Sequence, residues 1–172
     1  HFNWANKPTK IKLFGQDLFS SGGKFLTITE GELDACYAFE AMGSKFPVVS
    51  VDSAGAAPGN CKDNYDWINS FETIVLAFDN DKPGAVAAAK VADLFPGKTK
   101  IVKFKQGCKD PCDYGPSGKA EFVQNWWRAE VPKVEGLIPS SQLIDAVIST
   151  PRPKCYDYPW AGLNDITAGW RL

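Results

Sequence analysis

Short apolar runs alternate along most of the chain with longer segments in which apolar residues recur every three or four positions. The apolar runs predict four strands, at 24–29, 46–51, 73–78 and 99–104. The helical spacing predicts helices at 31–43, 61–71, 83–95 and 119–130. Strands that alternate with helices indicate an α/β fold: a mainly parallel four-stranded sheet with helices on both faces.

The pattern changes after residue 130. Residues 140–149 predict a short amphipathic helix, with Leu143, Ile144, Val147 and Ile148 on one face, between two proline-containing segments. This helix packs either against the same domain or against a neighbouring subunit, and the pattern does not separate the two.

Composition narrows the classes of function. A chain of 172 residues with a formal net charge of −1 suits one main domain plus an appendage, and any contact with nucleic acid requires a local basic patch. The single histidine, His1, argues against Ser-His-Asp and Cys-His catalysis within this chain. Five scattered cysteines without a CxxC pair favour a reducing compartment over a disulfide framework or a zinc site. No apolar run has transmembrane length, and no signal peptide is recognisable.

Acidic residues follow three of the four predicted strands. Glu30 and Asp34 follow the first, Asp79 and Asp81 the third, and Asp110 with Asp113 the fourth. Because right-handed crossovers bring the carboxyl ends of parallel strands to one edge, we expect these carboxylates to lie together. Their repulsion requires a cation, and oxygen ligands without histidine favour Mg²⁺ or Mn²⁺.

Structural interpretations without a metal remain open for parts of this set of carboxylates. Asp79, Asn80 and Asp81 also suit a turn, and acids near the start of the 31–43 helix also complement its dipole. The metal interpretation predicts phosphoryl transfer or phosphodiester cleavage, with Glu30 as a ligand or a general acid/base. Gly31 is expected to allow a tight backbone turn behind Glu30.

The motifs "TEGELDA" (29–35) and "FDNDKPG" (78–84) resemble the EGxxD and DxD motifs of the Toprim domain, which occurs in DnaG-type primases, topoisomerases and nucleases. The stretch "LFGQDLFSSGGKFLTITEGELDA" (13–35) is similar to the primase part of phage primase–helicase fusions related to Twinkle. "GCKDPCDY" (107–114) resembles the third acidic motif of primases, and "GLNDITAGWRL" (162–172) the start of a DnaB-like helicase domain.

The resemblance implies four parts of the chain. Residues 1–23 would end an N-terminal primase subdomain, 24–130 would form the Toprim catalytic domain, 131–161 an interdomain linker, and 162–172 the truncated start of a helicase domain. The linker helix 140–149 would then pack on an adjacent subunit.

The resemblance also implies the site. Glu30 is the expected catalytic glutamate. The expected ligands of Mg²⁺ or Mn²⁺ are Glu30, Asp34, Asp79, Asp81, Asp110 and Asp113. The expected contacts to nucleotide or DNA are Lys10, Lys12, Ser53, Gly55 and Lys109. For each lysine alone, a solvated surface position is the simpler reading.

The implied function is a nucleotidyltransferase, a DNA primase that makes short RNA primers from nucleoside triphosphates on single-stranded DNA. Its expected partners are a fused helicase domain and adjacent subunits, its expected location is the cytoplasm of a phage-infected cell, and no membrane contact is expected. A Toprim nuclease and a non-catalytic assembly module are the alternatives. The chain carries no zinc-binding module and no Walker A lysine motif, so we expect a piece of a longer protein.

Overall fold

A computed structural model describes residues 12–132 continuously, and beyond them Ile144, Ile148 and residues 155–156, 158–163 and 170–171. The chain divides into two compact units, with the boundary between Pro132 and Lys133. In the described part of the chain, no helix is long and apolar enough to cross a membrane.

The first unit contains a parallel four-stranded sheet. Its strands are β1 (Gly23–Thr29), β2 (Val48–Ser50), β3 (Phe71–Ala77) and β4 (Thr99–Ile101), in the order β2-β1-β3-β4. The chain moves outward in one direction from β1 to β2 and in the other from β3 to β4. The strand order therefore reverses between β1 and β3, and their carboxyl ends flank the position where ligands collect in such sheets.

Helices cover both faces, as the hydrophobic pattern predicts. They are α1 (Glu32–Ala41), α2 (Ala57–Asp63), α3 (Tyr65–Asn69), α4 (Lys82–Leu94) and α5 (Lys119–Trp127). On one face, Ile28 and Leu76 are buried in a core to which α2, α3 and α4 contribute. On the other, Val75 and Ala77 are buried with residues of α1 and α5. The predicted α/β fold class is confirmed.

The predicted strands at 46–51 and 99–104 are shorter in the structure, and one predicted helix is two separate helices. The pattern predicts a single helix at 61–71, whereas α2 begins four residues earlier and the chain breaks between α2 and α3 at Asn64. The Asn64 backbone leaves the helical region at φ −109° and ψ 21°, and its side-chain amide donates to the Asn60 carbonyl at 2.9 Å. Asparagine side chains compete in this way with helix propagation. Phe71, the last residue of the predicted helix, is instead the first residue of β3.

The second unit is described only in part. Cys155–Tyr156 and Trp170–Arg171 form an antiparallel pair of short strands. The predicted linker helix at 140–149 lies outside the described residues except for Ile144 and Ile148, which are helical and exposed. Most of the helicase-like segment 162–172 also lies outside them. The division into the four predicted parts therefore stays a prediction.

Candidate active site

The ends of β1 and β3 place the first two acidic positions side by side. Thr29 and Ala77 are opposite each other in the parallel register of these adjacent strands. Glu30 follows Thr29 directly, and Asp79 lies two residues beyond Ala77. The two motifs "TEGELDA" and "FDNDKPG" thus meet at the switch point of the sheet, as the strand pattern predicts.

Glu30 is half-buried and only partly satisfied. Its Oε1 accepts a hydrogen bond from the Ala54 backbone N–H at 3.1 Å. Its Oε2 is buried and has no hydrogen-bond partner among the described residues. A buried carboxylate oxygen without a partner is costly, and such an oxygen is suited to a cation or to a proton donor of a ligand.

The contact to Ala54 also fixes the loop predicted to lie near a nucleotide. Ser53 and Gly55 flank Ala54, so the backbone brings both to the side of Glu30, and both are exposed. The Ser53 hydroxyl accepts a hydrogen bond from the Ala56 N–H at 3.3 Å and so stabilises the loop. The sequence carries no signal for the Ala54 amide, because any residue except proline supplies the same N–H.

Asp79 and Asp81 share one cationic partner. The Lys109 Nζ lies 2.8 Å from Asp79 Oδ2 and 3.1 Å from Asp81 Oδ2. Asp81 is also the N-cap of α4, and its Oδ1 accepts from the Gly84 N–H at 2.8 Å. This hydrogen bond, followed by the bond to Lys109, holds the pKa of Asp81 below its usual value. The same two carboxylates raise the pKa of Lys109.

Asp34 and Asp110 form a second part of the acidic cluster, together with Cys112. Each offers one ligand atom, and these atoms lie within 4.8 Å of one another. Asp34 Oδ1 accepts from the Cys112 N–H at 3.2 Å. The pKa of Asp34 is raised, mainly by burial, and further by the charges of Asp110 and Asp79. Asp34 therefore lies in the electrostatic field of two acidic residues, Asp79 after β3 and Asp110 after β4. Cys112 was not predicted here, since a lone thiol in a loop gives no pattern.

Asp113 has a structural use for its carboxylate. Asp113 Oδ2 accepts from the Lys109 N–H at 2.6 Å and from the Asp110 N–H at 3.4 Å, and Asp110 Oδ1 accepts from the Asp113 N–H at 3.0 Å. The carboxylate thus stabilises the turn that carries Lys109 and Asp110. The Asn80 N–H donates to the Lys109 carbonyl at 2.7 Å and ties this turn to the DxD segment.

Gly31 has a different role from the expected one. Its φ of −116° is extended backbone that any residue adopts, so the expected glycine-dependent turn is wrong. A Cβ at this position would instead lie 2.8 Å from Asp34 Oδ2. The missing side chain makes room for the Asp34 carboxylate.

Two of the three predicted lysines lie in the described part of the chain. Lys10 lies outside the described residues. Lys12 is exposed and forms an ion pair with Asp17. Of the three, Lys109 is the one that contacts predicted metal ligands.

The donor set fits a divalent cation. It consists of carboxylate oxygens, and one of them, on Glu30, is buried without a partner in the described part of the chain. An ammonium group already lies between two of the carboxylates. Hard oxygen donors of this kind are the ligands of Mg²⁺ and Mn²⁺.

Comparisons with known proteins agree with the motifs. A family described as Toprim-like matches residues 27–115. The chain is 34% identical over 178 residues to a DNA helicase/primase of Enterobacteria phage T3, covering 99% of this chain and 31% of that protein. The chain thus spans about a third of the length of this curated relative.

Two solved structures are similar in fold and sequence. The primase fragment of the bacteriophage T7 primase-helicase protein is 35% identical, with a TM-score of 0.61, and the match covers 67% of this chain and 48% of that one. The bacteriophage T7 primase domains bound to an RNA/DNA hybrid and dTTP, in a complex with the lagging-strand DNA polymerase, are 35% identical, with a TM-score of 0.62 and coverage of 70% and 61%. The predicted resemblance to the Toprim part of phage primase–helicases is confirmed, and the chain belongs to the Toprim-like family.

Proposed function

We propose that this chain is the catalytic part of a phage replicative primase–helicase, a nucleotidyltransferase that makes short RNA primers on single-stranded DNA with Mg²⁺ or Mn²⁺. The observation that carries the proposal is the buried Oε2 of Glu30, which finds no hydrogen-bond partner among the residues described, at the sheet edge that also bears Asp79 and Asp81. The similarity to the phage T3 DNA helicase/primase extends over nearly the whole chain and supports priming over other Toprim reactions.

The proposed metal ligands are carboxylate oxygens of Asp79 and Asp81, with Asp34, Asp110 and Glu30 completing the acidic edge. When bound, the divalent ion supplies positive charge that stabilises the phosphate oxygens during nucleotidyl transfer. Asp113 is assigned a positioning role rather than ligation, since its Oδ2 accepts two backbone N–H groups.

Glu30 is proposed as the group that accepts the proton of the attacking primer 3′-hydroxyl. Its Oε1 is held by the Ala54 N–H, and its Oε2 has no hydrogen-bond partner among the described residues, so Oε2 is the oxygen proposed to accept that proton. A general base must lie within hydrogen-bond reach of its proton, and a carboxylate fixed at one oxygen meets that need. Ser53 and Gly55, on either side of Ala54, are proposed to contact the incoming nucleotide.

The remaining partners belong to the same proposal. Lys10, Lys12 and Lys109 are proposed to contact phosphates of the template or the triphosphate. A fused helicase domain is supported by the likeness to the phage T3 DNA helicase/primase. Adjacent subunits bound through the 140–149 helix, and action in the cytoplasm of the infected host, are further proposals.

The test is incubation of the full-length protein and of this chain with single-stranded DNA, ribonucleoside triphosphates and Mg²⁺, followed by analysis of short RNA. Metal-dependent primers from wild type, lost in Asp79→Asn and Glu30→Gln with the fold retained, would support the proposal. DNA cleavage without RNA would replace it with a Toprim nuclease. Neither product, with no Mn²⁺ bound in a titration, would indicate an assembly module.

A further inference from the structure

The Lys109 ammonium lies between the two carboxylates of the DxD motif. It is 2.8 Å from Asp79 Oδ2 and 3.1 Å from Asp81 Oδ2. The two aspartates stand one residue apart at the end of a buried strand, where their charges repel each other. The ammonium neutralises part of this charge, so the protein carries a counter-ion of its own at this position.

The ammonium and a divalent ion require the same atom. Asp81 Oδ1 is committed to the Gly84 N–H, which closes the first turn of α4. The oxygen left for ligation is Oδ2, which faces Lys109. Mg²⁺ binds carboxylate oxygens at about 2.0–2.1 Å, and an ammonium group that contacts the same oxygen would be repelled by the bound ion. Occupation of Asp81 Oδ2 by one cation therefore excludes the other.

The backbone of Lys109 is fixed by hydrogen bonds, whereas its side chain is tethered by the two ion pairs at its end. Its N–H donates to Asp113 Oδ2 at 2.6 Å, and its carbonyl accepts from the Asn80 N–H at 2.7 Å. The side chain is 55% exposed. A lysine has a flexible four-carbon stem, so the ammonium is able to leave both carboxylates without any movement of the turn.

We propose that Lys109 is an exchangeable counter-cation. It neutralises Asp79 and Asp81 before the divalent ion binds, competes with that ion for their oxygens, and moves to solvent at the same edge of the sheet when it is displaced. The inference rests on the proposed metal-binding function of this site. Its consequence is that the metal-free site is stabilised while the affinity for metal is held below that of the carboxylates alone.

The test is a titration of the whole chain with Mn²⁺, for wild type, Lys109→Met and the matched control Lys82→Met. Lys82 directly follows Asp81, is exposed, and has no salt bridge among the described residues, so its replacement removes the same charge nearby without a contact to either carboxylate. We expect Lys109→Met to bind Mn²⁺ at least about tenfold more tightly, and Lys82→Met to change the affinity by less than about threefold, because exposed charges without contact are screened.

A second readout separates exchange from a purely structural ion pair. Without divalent ions, Lys109→Met should have a lower Tm than wild type, and with saturating Mn²⁺ this difference should vanish or reverse. A lower Tm in both conditions, equal tightening in Lys82→Met, or an unchanged Mn²⁺ affinity in Lys109→Met would each overturn the inference. If Lys109→Met binds Mn²⁺ with unchanged affinity, the proposed metal site is still supported. Absence of Mn²⁺ binding by both wild type and Lys109→Met would overturn the proposed metal function as well.

Discussion

Gly84 lies against the backbone of Asp79 so closely that a side chain does not fit between them. A Cβ at position 84 would be 2.2 Å from the Asp79 carbonyl oxygen and 3.2 Å from its nitrogen. Gly84 is buried in the first turn of α4, and its N–H also donates to Asp81 Oδ1. One glycine thus sets the distance between the helix start and both aspartates of the DxD motif.

Gly84→Ala should therefore displace the DxD segment or the start of α4. Overpacking of this kind costs about 1–3 kcal/mol of unfolding free energy, and Mn²⁺ affinity should fall with it because Asp79 and Asp81 move. Urea denaturation and a Mn²⁺ titration measure the two effects.

Gly59→Ala is the matched control for this change. Gly59 lies in α2, is exposed, and a Cβ there would meet nothing within 4 Å. Alanine should stabilise that helix by about 1 kcal/mol or less. If both variants gained stability, the close approach of Gly84 to Asp79 would have no energetic meaning.

Two substitutions at Asp81 should separate its role as the N-cap of α4 from its role as a metal ligand. Asp81→Asn keeps a side-chain oxygen for the Gly84 N–H, and Asp81→Ala removes it. Asparagine is as good an N-cap as aspartate, whereas alanine costs about 0.5–2 kcal/mol. We expect both variants to lose Mn²⁺ affinity, but only the alanine variant to lose that additional stability in urea denaturation. An asparagine variant that binds Mn²⁺ like wild type would limit Asp81 to its role as a cap.

The sequence predicted those parts of the site that follow from strand ends. Glu30 and Asp79 lie together because parallel strands bring their carboxyl ends to one edge, which the apolar runs before them already indicate. The order of the helices likewise follows from the spacing of apolar residues, which recur every three or four positions in those segments.

Contacts made by loops were not predictable in this way. The bond from the Ala54 amide to Glu30 depends on the path of the 52–56 loop, and the position of Lys109 depends on a flexible side chain. The break at Asn64 depends on one side-chain hydrogen bond that competes with the helix. None of these contacts produces a periodic pattern of residues in the sequence.

Glu30→Gln should abolish primer synthesis without lowering the stability of the metal-free protein. Glutamine retains an oxygen for the Ala54 N–H, and its neutral amide replaces the charged Oε2, which is buried without a partner among the described residues. Replacement of a functional group that the fold itself does not satisfy commonly stabilises a protein while it removes activity. Thermal denaturation in EDTA, beside the RNA assay, measures both.

Glu32→Gln provides the comparison for Glu30→Gln. Glu32 is exposed in the first turn of α1, so its replacement loses only a weak interaction with the helix dipole. It should leave primer synthesis close to wild type. A large loss of stability in Glu30→Gln would indicate that the Glu30 charge has a structural partner.

Asp34 should make the metal-free protein less stable as pH rises. Its pKa in the folded protein is raised above the usual 3.8, by burial first and by Asp110 and Asp79 in addition. Between the unfolded and folded pKa values the folded state binds more protons than the unfolded state, so the free energy of unfolding decreases with pH across that window. The stabilising contribution of the protonated Asp34 carboxyl to the free energy of unfolding is therefore fully present below pH 3.8. It is lost as pH rises through the pKa of Asp34 in the folded protein.

Asp34→Asn should remove this dependence. Asparagine keeps an oxygen acceptor for the Cys112 N–H and has no proton to lose. In EDTA, the variant should gain stability relative to wild type as pH rises above 3.8, and the two profiles should converge below it. Urea denaturation from acid to neutral pH measures the difference. Stability profiles that run parallel over the whole pH range would mean that the Asp34 carboxyl is not held in the field of Asp110 and Asp79. Asp34 would then no longer count as part of the acidic cluster.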